Sequence, residues 1–426
     1  MKLLVLGINY APEMIGTAVY TTGMAEAMAE QGHDVSVVTA VPSYPGWKIF
    51  DGWPRFGYRS VRTDGGPRVV YCPLYVPARP TGVKRILHYI SFAATAAPCM
   101  LWYGIRYSPD TVFVAAPSML SAPIGWLVAR LTGAKCWLHI QDFEVEAAFA
   151  TGLLKKKSLI GRAAEKFERW ILRRFDRVSA ISAPMLRKLR EKGVPEDRAY
   201  ELRNWADLNR ITPMPKDSGM REELGITTPL MALYSGNLAH KQGLEILPKV
   251  ARNLAHRPDL TIAICGDGPL AQPLREMSAD LPNIRFFPLQ PVEKLSALLG
   301  AADVHLLPQI AGAADLVLPS KLTNMLASGR PVIATAESGT ALADEVRGCG
   351  RVVAPGDTKA LATAIEALVD DPGLRTDLGR EARVRAFERW DGDRILSRFA
   401  SEMNRMTGDA VLPAWRMGTM NKEVSE

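Results

Sequence analysis

Short, almost uninterrupted apolar runs recur along this chain with 20 or more helix-like residues between most of them. The first set is KLLVLGI (2–8), DVSVVTA (34–40), RVVYC (68–72), TVFVAA (111–116), KCWLHI (135–140) and RVSAIS (177–182). Runs of this length without polar alternation suit parallel strands buried on both faces and joined by crossover helices. After a loop rich in Pro and Lys (ITPMPKDSG, 211–219), the pattern restarts with LMALYSG (230–236), LTIAICG (260–266), IRFFP (284–288), DVHLLP (303–308), PVIAT (331–335) and RVVAP (351–355). A chain of 426 residues exceeds one hydrophobic core. The expected class is therefore α/β, with two Rossmann-like, doubly wound parallel sheets whose carboxyl ends face a cleft. Residues 1–210 form the first expected domain and 211–385 the second, with a helix and polar tail over 386–426.

Composition excludes several classes. With 47% hydrophobic and 23% charged residues, the chain is not disordered by composition. Its five cysteines, Cys72, Cys99, Cys136, Cys265 and Cys349, show no CxxC spacing, so no zinc site or disulfide framework is expected. A reducing cytoplasm fits. The opening MKLLVLGINYAPE lacks a cleavage site and reads as a first strand rather than a signal peptide. Residues 86–105, ILHYISFAATAAPCMLWYGI, carry no formal charge and are flanked by Lys84, Arg85 and Arg106. The length could span a bilayer, but Pro98, His88 and the small residues fit a buried helix or one that touches a membrane surface. Residues 1–205 hold 27 Lys and Arg against 17 Asp and Glu, and the remainder is slightly acidic. A basic first domain suits anionic lipid of an inner leaflet. No nucleic-acid reader motif accompanies the charge.

Ligands of open parallel sheets sit at strand carboxyl ends, which directs attention to four stretches. Gly7 and Gly16 stand too far apart for a GxGxxG, and Gly266-Asp267-Gly268-Pro269 lacks the third glycine, so a dinucleotide cofactor is disfavoured. Gly16 and Thr17 open an expected helix to about Glu30, either as a diphosphate-accepting helix start or as a plain spacer. In YSGNLAHKQGLE (234–245), Gly236 permits close approach, Asn237 can turn the chain, and Lys241 is expected near the first turn of the next helix. A cation there is unfavourable unless an anion binds, or else it is a solvated surface lysine. In ADLVLPSKLTNMLASGRPVIAT (314–335), Ser320 and Lys321 begin a helix, and Asn324 lies on the same face as Lys321. Two lysine sites in one domain suit a nucleoside diphosphate. HIQDFEVEA adds His139 near a strand end with Asp142, Glu144 and Glu146 following, a candidate acceptor site or a solvated acidic loop.

Together, NYAPEMIGT, GHDVSVVT, YSGNLAHKQGLE, CGDGP and PSK…ASGRPVIA resemble the retaining GT-B glycosyltransferases of glycosyltransferase family 4 over nearly the whole chain. WLHIQDFEVEAAFATGLL and SKLTNMLASG resemble its colanic-acid and exopolysaccharide branch. The resemblance implies that the second domain binds a GDP- or UDP-linked sugar and the first an undecaprenyl-diphosphate-linked saccharide. A last helix, expected from about 386, crosses back. It further implies that Lys241 holds the diphosphate, that Gly266 and Asp267 lie beside the nucleotide, and that Ser320, Lys321 and Asn324 complete the donor site with Gly236 and Asn237. His139 would lie near the donor sugar and Asp142 would orient the acceptor hydroxyl. The leaving phosphate itself would take the acceptor proton, so no metal or other cofactor is expected. The chain departs from the family pattern at Asn237, where many relatives carry an Arg a few residues before the lysine. It departs again at Asn324 and Leu316, which replace an EX7E glutamate pair.

Asp391-Gly392-Asp393 reads as a helix cap rather than a metal site. The expected location is cytoplasmic, peripheral on the inner face of the cytoplasmic membrane. Two other readings stand beside the transferase: a GT-B nucleotide-sugar epimerase, and a non-catalytic membrane-associated assembly subunit.

Overall fold

The computed structural model describes residues 1–14, 16–62, 64–150, 155, 157–206, 208, 211–216, 218–311 and 320–408. Two compact units emerge, one of Met1–Leu202 with the chain from Asp393 onward, the other of Arg203–Gly392.

The first unit holds an eight-stranded sheet: β1 (Lys2–Gly7), β2 (Asp34–Ala40), β3 (Arg59–Arg62), β4 (Arg68–Cys72), β5 (Thr111–Ala116), β6 (Lys135–Ile140), β7 (Arg177–Ala180) and β8 (Ala199–Glu201). Their order is β3-β4-β2-β1-β5-β6-β7-β8, all parallel except the β3–β4 pair. Chain order reverses at β1, between β2 and β5. The sequence pattern missed β3 and β8 for a physical reason. Both are edge strands, and RSVR is largely exposed and charged, as suits an edge that must not pair with another chain.

The second unit repeats the plan with six parallel strands: β9 (Leu230–Ser235), β10 (Leu260–Cys265), β11 (Ile284–Phe287), β12 (Val304–Leu307), β13 (Val332–Thr335) and β14 (Gly350–Val353), in the order β11-β10-β9-β12-β13-β14. Alternate residues of β9 serve opposite cores: Met231 and Leu233 face one buried cluster, Ala232 and Tyr234 the other. Burial on both faces explains why the strands read as continuous apolar runs.

The helix that crosses back starts later than the sequence suggested. Residues 386–390 end a helix Pro372–Trp390 of the second unit, and Gly392–Thr407 follows after Asp391. Asp391 and Gly392 thus lie at a helix junction, where a Cβ on Gly392 would press on Trp205. In the first unit Phe399 packs edge-on against Trp137 and Phe113, with centroids 4.9 and 5.5 Å away. Residues 86–105 lie within a helix Gly82–Tyr107 that buries His88, Phe92, Ala96, Met100 and Gly104. No helix among the described residues is long and apolar enough to cross a membrane.

At the amino end of β12, Asp303 is fully buried. It accepts from the Met231 N–H at 2.9 Å and pairs with Arg221 at 2.7 Å and with Lys216. These partners hold its carboxyl below the ordinary range although burial alone would raise it. Removing the carboxylate strands partly buried cations. Asp303→Ala should destabilise the protein by about 3 kcal/mol, read as a lowered urea midpoint.

Candidate functional site

In the second unit the turns after β9 and β10 are knitted together. Gly236 N–H donates to Cys265 O at 2.9 Å, Leu238 N–H to Asp267 O at 2.8 Å, and Leu270 N–H to Leu238 O at 2.9 Å. A Cβ on Gly266 would collide with the Gly236 carbonyl, so only glycine lets the two backbones cross. Gly236 itself (φ 138°) leaves a gap through which the Lys321 side chain passes, and a Cβ there would meet Lys321 Cε.

Lys321 comes from the first turn of the helix Ser320–Ala327. Its Nζ donates to the Tyr234 hydroxyl, sits 4.4 Å above that ring, and reaches the Asn237 carbonyl at 3.5 Å. The Tyr234 hydroxyl donates in turn to Asn237 O at 2.7 Å, and burial raises its pKa far above neutrality. A fixed ammonium therefore stands at the carboxyl end of β9, beside Gly236 and Asn237. Asn324 lies one turn beyond Lys321 on the same helix.

Lys241 is placed differently from the sequence expectation. It lies in a tight turn, His240–Gln242, and the α-helix begins only at Ile246 because Gly243 turns left-handed in between. The side chains of Lys241 and Ser320, and all of residues 312–319 including Leu316, lie outside the described residues. Asp267 caps its own turn, accepting from the Gly268 N–H at 2.7 Å.

The first unit arranges its strand ends otherwise. The helix expected from Gly16 and Thr17 is present as Thr17–Glu30, with Gly16 left-handed (φ 67°) ahead of it. The Thr17 hydroxyl donates to Asn9 Oδ1 at 3.3 Å, and Asn9 Nδ2 donates to Glu13 at 2.8 Å. Buried Glu13 also accepts from the N–H groups of Ser43 and Tyr44, each at 2.8 Å, tying the β1 loop to the β2 loop. After β5, Ser118 is left-handed (φ 91°), and its N–H and that of Met119 converge on Glu144 Oε1 at 2.5 and 2.8 Å. That pair of N–H groups is the kind of concavity that binds an anion, and the chain's own carboxylate fills it.

The acidic cluster thus divides by role. Glu144 fills this concavity, Glu146 pairs with Lys192 at 3.1 Å and with Lys188, and Asp142 remains exposed at the end of β6.

His139 is buried, and its Nδ1 lies 2.8 Å from the Ser179 hydroxyl, which also accepts from Trp137 Nε1–H at 2.8 Å. The hydroxyl's own proton is then directed to Nδ1, an assignment that leaves the imidazole proton on Nε2. Burial pushes the His139 pKa down to about 3, so the ring is a neutral donor rather than a base near neutral pH. Sequence reasoning found His139 by its strand-end position, but Ser179, forty residues away, carries no local signal.

Burial pushes the Glu144 carboxyl up to about 7, against the two N–H bonds that favour its ionised form. The folded state then binds more protons than the unfolded one between the ordinary value of 4.5 and about 7, so stability falls as pH rises through that window. Glu144→Gln should flatten this part of the melting temperature–pH curve, measured by scanning calorimetry from pH 4 to 8.

Residues 16–205 match the model of the glycosyl transferase 4-like domain, and 217–385 that of glycosyl transferases group 1. The glycosyl transferase WcaI of Escherichia coli K12, named for colanic acid biosynthesis, is 38% identical over 95% of this chain and its own full length. Sucrose-phosphate synthase of Thermosynechococcus elongatus superposes with TM-score 0.71 at 18% identity, covering 96% of this chain and 99% of its own. HepE of Anabaena, solved with UDP, superposes with TM-score 0.67 at 16% identity, covering 95% of this chain and all of its own. With both domain families matched in order and a relative aligned from end to end, this chain belongs to the GT-B glycosyltransferases of family 4.

Proposed function

We propose that this glycosyltransferase moves a hexose or deoxyhexose, fucose being one candidate, from a GDP- or UDP-linked donor to an undecaprenyl-diphosphate-linked saccharide, with retention at the anomeric carbon. The pathway is exopolysaccharide assembly of the colanic-acid type. The observation that carries this reading is the Lys321 ammonium, held by Tyr234 at the carboxyl end of β9 where it passes over Gly236. End-to-end similarity to WcaI supports the pathway. The UDP bound by HepE supports the donor class.

As the bond from the anomeric carbon to the diphosphate breaks, its electron pair passes to the diphosphate oxygen. Lys321, preorganised by Tyr234, stabilises that charge together with Lys241, which lowers the barrier electrostatically. The acceptor oxygen bonds to the anomeric carbon, and its proton goes to the departing diphosphate oxygen. No protein base is then needed, in keeping with a neutral His139 that offers Nε2–H to the sugar while Asp142 orients the acceptor hydroxyl. In this reading the diphosphate needs no metal.

The membrane surface enters through the helix Gly82–Tyr107. Opposite its buried stripe, Val83, Leu87, Ile90 and Ile105 are exposed, with Trp102 at 65% exposure beside them. Lys84, Arg85 and Arg106 stand at its ends, as suits an amphipathic helix lying on anionic headgroups of the inner leaflet.

Lys321→Ala and Lys241→Ala should each lower transfer from the native donor at least tenfold with the fold intact by circular dichroism. EDTA should leave the wild-type rate unchanged. Turnover near wild type in both variants would remove the diphosphate assignment. Replacing Leu87 and Ile90 with Asp should reduce sedimentation with phosphatidylglycerol vesicles while leaving nucleotide binding unaltered.

A further inference from the structure

Two glutamines of the second unit occupy positions that packing alone does not explain. Gln242 ends the tight turn after β9, and Gln309 follows β12 by two residues. β9 and β12 are hydrogen-bonded neighbours, and between them strand order reverses, which is where a doubly wound sheet opens its ligand crevice. The two loops touch: a Cβ on Gly243 would stand 3.1 Å from the Gln309 carbonyl carbon and from Ile310 N.

Each glutamine is more than nine-tenths buried, at 8% exposure, and neither side-chain carbonyl has a hydrogen-bond partner among the described residues. Their backbones are nonetheless firmly held. Gln242 N–H donates to Ala239 O at 2.9 Å. Gln309 N–H donates to the Thr335 hydroxyl at 2.7 Å, and that hydroxyl donates back to Gln309 O at 2.8 Å. Both side chains are therefore rigidly based and desolvated, with an acceptor oxygen unused. A buried acceptor left unpaired is destabilising, and such groups persist where a ligand completes them.

The ligand's chemistry follows from the atoms involved. A carbonyl oxygen repels a phosphate oxygen, so these two unpaired Oε1 atoms do not serve the diphosphate, which falls to the cation beside Gly236. They take hydrogen-bond donors, which a sugar ring presents as O–H groups. We propose that Gln242 and Gln309 hydrogen-bond hydroxyl groups of the donor's sugar ring and so select the sugar that is transferred. This deepens the donor reading above and rests on it. Selection by a hydrogen-bonding site is strong because a sugar lacking the hydroxyl leaves the buried acceptor unpaired.

The test compares wild type with Gln242→Leu and Gln309→Leu by titration calorimetry against UDP, GDP, UDP-glucose, UDP-galactose, GDP-mannose and GDP-fucose, with melting temperatures of the unliganded proteins. The wild type should bind one sugar conjugate more tightly than its bare diphosphate. Both variants should keep the diphosphate affinity within about twofold and lose that sugar-dependent gain by about tenfold or more. Their unliganded melting temperatures should equal or exceed that of wild type, since an unpaired polar atom has been removed.

Loss of diphosphate and conjugate affinity in equal measure overturns the assignment, as does an unchanged sugar gain or a wild type that gains nothing from any sugar. A clear fall in the unliganded melting temperature also overturns it, because the carbonyls would then have protein partners. Wild type binding neither UDP nor GDP is a different result: it removes the donor reading itself, and this assignment with it.

Discussion

The crossing of Gly236 and Gly266 is the contact on which the strand-end loops of the second unit depend. The loops after β9 and β10 run so close that one carbonyl occupies the space of the other residue's missing Cβ. Hydrogen bonds from Gly236 to Cys265 and from Leu238 to Asp267 extend the sheet's pairing beyond its strands. A rigid floor results at the place where loops are usually most mobile. Because Gly236 carries no side chain, Lys321 can reach through to Tyr234 from 87 residues later in sequence. Shape here precedes charge: the cation is held in place only because two backbones meet without side chains.

The two units share a strand order around their switch points and treat the strand ends in opposite ways. In the first, the Ser118 and Met119 N–H groups are already occupied by Glu144, and Glu13 closes the loops after β1 and β2. A diphosphate would compete there with carboxylates of the chain itself. The second unit presents an ammonium and two carbonyls unpaired among the described residues at the corresponding end. One topology thus supports different ligand chemistry according to which side of the hydrogen bond the protein supplies.

The placement of titratable groups follows the same logic. Burial keeps His139 neutral, whereas Asp142, three residues further on, is exposed. Glu146 is consumed by Lys188 and Lys192. Three carboxylates within five residues therefore end in three environments, and residue type alone does not distinguish them.

What the sequence by itself determined is the layered architecture. Twelve apolar runs of the right length, separated by helical stretches, can bury both faces only as parallel sheets, and all twelve are strands. β3 and β8 escaped notice because edge strands need little apolar surface. Gly236, Asn237 and Lys321 stand out by their places at strand and helix ends, and the structure brings these three together at the end of β9. Tertiary structure alone decided what each of these groups faces. Lys241 falls in a tight turn instead of a helix start because Gly243 reverses the backbone. Ser179 sets the His139 tautomer across a sheet, and Gln242 meets the Gln309 loop only through strand order. Strand identity depends on local burial, which a sequence pattern records; these pairings depend on separations of 40 to 67 residues, which only the folded sheets bring together.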